Sequence, residues 1–122
     1  MSIRRKKEVS NEYNVFNWLR QKLRKLSYQW PPRNKAKQLA WVERGQYRCA
    51  ECTRQEIEKS WHHTEIVIDH IIPIIDPEKG FTTLDDFIMK LFCPVDGFQI
   101  LCKQCHQLKT SKENEIRKAN KK

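Results

Sequence analysis

The sequence predicts a small α+β domain in which basic helices precede a unit of two short strands and a helix. Three observations carry this reading. Apolar residues recur at helical spacing through residues 11–44. Two β-branched or apolar runs, 65–72 (EIVIDHII) and 98–101 (FQIL), read as strands. Two Cys-x-x-Cys turns, Cys49 with Cys52 and Cys102 with Cys105, bracket those strands.

Residues 1–10 hold Arg4, Arg5, Lys6 and Lys7 together and are expected to be a disordered basic tail. From Asn11, a suitable N-cap, Val15, Phe16, Leu19, Leu23 and Leu26 form a helical stripe with Arg20, Lys22, Arg24 and Lys25 among them. Trp30-Pro31-Pro32 ends this helix, because proline lacks an N–H and restricts the residue before it. A second helix is expected over 34–44. Asn34 would cap it, Ala36, Leu39 and Ala40 line it, and Gly45 take the left-handed position after it. Beyond the first strand, Pro73, Asp76-Pro77 and Gly80 mark a loop. Thr83 with Asp86 resembles a weak capping box for a short helix whose Leu84, Phe87, Ile88 and Leu91 share a face. A lysine-rich helix follows the second cysteine turn to about Ala119, so the strand-and-helix unit spans 45–119 and 120–122 form a basic tail.

A chain of 122 residues with 39% apolar and 32% charged side chains builds one small core, and domains of this kind often need a staple. No apolar run approaches the ~20 residues of a membrane span, so no membrane partner is expected. The net charge of +9 favours polyanions, nucleic acid first. That charge is concentrated at the ends: residues 1–44 carry +9, 45–110 carry −3 and 111–122 carry +3. Basic arms flanking an acidic middle suit phosphate binding; the plainer alternative is a pair of solvated charge runs. Carboxylates close to a phosphate backbone need a cation between them.

No signal peptide is evident, so the five cysteines are expected to serve a metal rather than disulfides. A two-residue gap lets both thiolates of a pair face one ion, and two pairs complete a tetrahedral zinc shell of the closed, structural kind. Four buried free thiols or a redox pair are the alternatives. Cys93 has no partner and reads as a small apolar residue. Asp69-His70 lies on the first strand, and His106 follows the last cysteine of the second pair. A carboxylate and an imidazole can hold a divalent cation while a second histidine deprotonates water. In a straight strand Asp69 and His70 face opposite sides; a bend near Pro73 would let them converge.

The order Cys49-x2-Cys52, Asp69-His70-Ile71-Ile72-Pro73, Phe98-Gln99-Ile100-Leu101-Cys102-x2-Cys105-His106 and Lys109-Thr110 resembles the HNH endonucleases, especially the small zinc-stapled members of bacteriophages and prokaryotes. The resemblance covers about residues 36–113. It implies a ββα-metal fold and a metal-dependent DNA endonuclease. Asp69 and His106 would be ligands of a catalytic Mg²⁺ or Mn²⁺, His70 the general base, and Cys49, Cys52, Cys102 and Cys105 the ligands of a structural Zn²⁺. It also implies 5′-phosphate and 3′-hydroxyl products, a role in phage genome processing or attack on host DNA, phage packaging or other protein partners, and a cytoplasmic setting, the host's if the gene is a phage's. Gly97, preceded by Asp96, stands where the family usually has Asn.

Lys103, Lys109 and Lys112 on the last helix, and Arg20, Arg24 and Lys25 on the first, are the expected DNA-backbone contacts. His62 and His63 are read as surface or loop residues. Trp18, Trp30 and Trp41 are read as packing the N-terminal helices rather than stacking on bases. Residues 71–97 form an insertion too acidic to clamp DNA alone. The competing function is a zinc-containing nucleic-acid-binding module with weakened catalysis; a structural protein of nuclease ancestry is a third possibility.

Overall fold

A computed structural model describes residues 14–120. The elements are α1 (Val15–Ser27), α2 (Pro31–Leu39), β1 (Trp41–Glu43), β2 (Gln46–Arg48), α3 (Ala50–Arg54), β3 (Ser60–His62), β4 (Ile66–His70), α4 (Leu84–Leu91), β5 (Phe98–Cys102) and α5 (Lys103–Asn120). The architecture is α+β, with one three-stranded antiparallel sheet ordered β1-β2-β3 and one two-stranded antiparallel sheet of β4 and β5. Among the described residues, no helix is long and apolar enough to cross a membrane. The expected N-terminal tail, 1–10, and residues 121–122 of the expected C-terminal tail lie outside the described residues.

The N-terminal helices depart from expectation in their bounds. Asn11 lies outside the described residues; the cap of α1 is Asn14, whose Oδ1 accepts the Asn17 N–H at 3.1 Å. The Pro31-Pro32 pair both separates the helices and opens α2, because the first helical turn needs no N–H donors. The second helix therefore starts at Pro31, without a cap from Asn34, and stops at Leu39 rather than Arg44. Trp41–Glu43 is extended instead. Gly45, at φ +74°, turns the β1–β2 hairpin, in which Trp41 pairs with Tyr47. A boundary between residues 44 and 45 would cut through this hairpin.

β4 and β5 pair from Ile66 opposite Cys102 to His70 opposite Phe98. Phe98, Ile100, Leu101 and Cys102 are buried along β5. α5 follows without a break, setting His106, Lys109, Glu113 and Arg117 at the spacing of one helix face. The insertion carries α4, capped as expected by Thr83, whose hydroxyl accepts the Asp86 N–H at 3.1 Å. Phe87 and Leu91 of α4 are buried, each worth about 1.5–3 kcal/mol of apolar burial. The N-terminal helices pack on this segment. Trp30 meets Phe92 edge-on at 5.6 Å between centroids and donates its indole N–H to the Cys93 carbonyl at 2.7 Å. The expected packing role thus holds for Trp30, but Trp18 and Trp41 are exposed.

Candidate metal centre and the adjoining cleft

The first cysteine pair sits at the start of α3, where Cys49 is the N-cap and Cys52 lies on the helix. The second pair spans the junction of β5 and α5. The four sulfurs lie within 4.8 Å of one another and could hold a metal ion such as zinc. Cys52 Sγ is 4.0 Å from Cys102 Sγ and 3.9 Å from Cys105 Sγ; a tetrahedral ZnS₄ shell needs about 3.8 Å. The Cys52 N–H donates to Cys49 Sγ at 3.4 Å, the kind of backbone donation that steadies a thiolate ligand. Burial opposes ionisation of Cys49, but backbone N–H groups of Cys102 and Cys52 prevail and lower its pKa. Burial and the neighbouring sulfurs push Cys52 up to about 11 and raise Cys105 as well. Four such sulfurs cannot all be anionic without a cation among them. Cys49, Cys52, Leu101 and Cys102 form a buried cluster against which Ala50 and Trp61 pack.

A separate cleft of about 640 Å³ lies between α1, β4, the segment from Pro73 to Ile75, and α5. Asp69, His70 and His106 all line it. His106 Nε2 is 3.7 Å from Asp69 Oδ1. Asp69 is only 8% exposed, so its carboxylate needs partners. Gln99, opposite it in the ladder, donates Nε2–H to Asp69 Oδ2 at 2.9 Å. Lys109 Nζ lies 3.2 Å from the same oxygen and also reaches Glu113 Oε2 at 2.8 Å and the His70 carbonyl at 3.0 Å.

His70 closes β4, and the Ile71 N–H beyond it donates to the Gly97 carbonyl at 2.9 Å. Its Nε2 lies 3.0 Å from the Leu91 carbonyl at the end of α4. A carbonyl only accepts, so Nε2 is assigned the proton and Nδ1 keeps the lone pair. Burial lowers the His70 pKa from its ordinary 6.5, and the charge of Arg33 adds to that, against the Leu91 carbonyl and Asp69. The neutral, proton-accepting form is thereby favoured.

Gly97 has a steric reason. A Cβ at this position would lie 2.6 Å from Cys93 Sγ, so Asn does not fit unless Cys93 moves. The end of β4 at His70 is tied by the backbone carbonyls of Gly97 and Leu91.

Of the expected phosphate contacts, Lys25, Lys103 and Lys112 are exposed, whereas Lys109 is engaged in the ion pairs just described. Arg20 and Arg24 lean on aromatic rings, at 4.6 Å from the Phe81 centroid and 5.5 Å from that of Phe87; Arg24 also lines the cleft. His62 and His63 are exposed and belong to neither site. Sequence reasoning missed Gln99 as a brace for Asp69, the Leu91 carbonyl, and Arg33 and Arg117 as cleft residues. Only Gln99 had a sequence signal: placing the two strands antiparallel would have set it opposite Asp69. The chain matches no protein-family model, no curated protein and no solved structure.

Proposed function

We propose that the chain is a metal-dependent DNA endonuclease of the HNH type, hydrolysing phosphodiester bonds. The observation that carries this reading is the cleft, which gathers a carboxylate and two imidazoles distant in sequence beside basic side chains. The antiparallel β4 and β5 running directly into α5 agree with the strand-strand-helix order of that family.

Asp69 and His106 are a donor set that Mg²⁺ or Mn²⁺ accepts, though such an ion competes with Lys109 for Asp69. When bound, it supplies positive charge to the scissile phosphate and the leaving 3′ oxygen. His70 takes the proton of the attacking water at Nδ1 while the Leu91 carbonyl holds its other nitrogen. Gln99 keeps the Asp69 carboxylate aimed into the cleft. Lys103, Lys112, Lys25 and Arg20 contact the phosphate backbone, and the four cysteines would hold a Zn²⁺ that ties the end of β5 and the start of α5 to α3. The products carry 5′-phosphate and 3′-hydroxyl ends, in keeping with phage genome processing or host DNA attack in the bacterial cytoplasm.

The test is nicking of supercoiled plasmid with Mg²⁺ or Mn²⁺, with and without EDTA. His70→Ala is expected to lose about 10²–10⁴-fold in rate, with zinc content and circular dichroism unchanged. Equal nicking by this variant removes His70 from the mechanism. A non-catalytic zinc nucleic-acid-binding module is favoured by one observation, the Lys109 ammonium already neutralising Asp69. That reading requires DNA binding with no cleavage under any divalent cation.

A further inference from the structure

We propose that Arg24 and Arg33, from the two N-terminal helices, form a phosphate-binding subsite in the cleft beside His70, and that its ligand is a phosphodiester of the substrate. The identity of the ligand rests on the nuclease reading; the anion site rests on the geometry alone.

Both arginines line the same cleft as His70 and His106, yet come from α1 and α2 rather than from the strands and α5. Each guanidinium is laid over an aromatic ring: Arg33 at 4.9 Å from the Tyr28 centroid and Arg24 at 5.5 Å from that of Phe87. A ring face takes up no strong N–H donor, so it can hold the guanidinium while its N–H groups remain for a pair of oxygens, the arrangement in which arginine grips phosphate. The other cations of the cleft are occupied. Lys109 is shared between Asp69 and Glu113, and Arg117 donates to Asn114 Oδ1 and the Ile75 carbonyl. Among the described residues, the ion pairs do not include Arg24 or Arg33. Arg33 is half-buried, and burial lowers its pKa. A half-buried cation with no counter-charge among the described residues is costly, and an anion in the cleft relieves it. The N-terminal helices are thus a wall of the cleft, not a detached arm.

The experiment follows the His70 ring resonances by NMR in the full, zinc-loaded chain, titrated with inorganic phosphate and with a phosphodiester-linked dinucleotide. Wild type is expected to give a saturable shift with both. Arg33→Gln is expected to weaken each at least tenfold, Arg33→Lys to fall between, and Lys35→Gln, on the exposed face of α2, to match wild type. Should Arg33→Gln lose its zinc or its cooperative melt, Arg24→Gln carries the same expectation. Identical titrations of wild type, Arg24→Gln and Arg33→Gln, or no saturable shift in wild type, overturn the subsite. A shift with phosphate but none with the dinucleotide overturns the phosphodiester as ligand. Saturable binding of both probes without plasmid nicking keeps the subsite and removes the nuclease. Nicking with no dependence of KM on Arg24 or Arg33 removes the subsite and keeps the nuclease.

Discussion

The four-cysteine cluster and the Asp69 cleft are built on the two ends of one short ladder. Cys102 pairs with Ile66 at one end, and His70 pairs with Phe98 at the other. The cysteine end offers four like ligands, three of them buried, with no position left over. The cleft end holds acids, bases and imidazoles around open space. Closed sulfur shells hold a fold together, whereas a mixed, open shell leaves room for water and substrate. On the proposed reading, the two strands separate stability from chemistry over five residues each.

The strongest way to break this contrast is to strip the metal. Zinc removal, or Cys102→Ser, is expected to abolish the cooperative melt, since structural zinc in finger peptides contributes about 10–16 kcal/mol. Circular dichroism with metal analysis reads the outcome, and an unchanged melt after stripping would make the cysteine cluster dispensable. Next in size is Phe87→Ala, which empties a fully buried site beneath Arg24. It should cost about 3–5 kcal/mol in urea titrations; a cost below ~1 kcal/mol would mean the cleft wall is not anchored by α4. Gly97→Asn comes third, at about 1–3 kcal/mol from overpacking against Cys93. Adding Cys93→Gly should recover most of that loss, and failure to recover it would point to another reason for Gly97.

The smallest effect is the pH dependence of stability. The folded-state pKa of His70 lies below its ordinary 6.5, so the unfolded chain binds the proton more readily. Stability therefore falls as pH drops through 6.5 toward the folded-state value. His70→Gln should flatten that fall between pH 7.5 and pH 5, and parallel profiles would show that His70 is not desolvated. The same shift keeps the base form available below the usual histidine range.

Much of the fold was legible because its signals are local. The β-branched run 65–72, which contains Asp69-His70, the FQIL run and the Thr83 cap each depend on neighbours a few residues away. The three-stranded sheet was not legible, since β1, β2 and β3 are three residues each, below the length at which alternation can be read. The bounds of α2 were missed for a related reason: proline is both a helix breaker and a favoured first helical residue, and only context separates the two.

The cysteine spacing, the terminal positive charge, the two strands and the chemistry of Asp69, His70 and His106 were set by the order of residues. Tertiary packing decided which of them meet. Gln99 and Lys109 converge on Asp69, the Leu91 carbonyl finds His70, Cys93 forbids a side chain at Gly97, and Arg33 enters the cleft. Apart from Cys93 and Gly97, which are near neighbours in sequence, these partners lie 21 to 40 residues apart in the ladder, the insertion and α5, or on helices with no periodic link to the strands. Such meetings follow from how buried faces fill space, which no local pattern encodes.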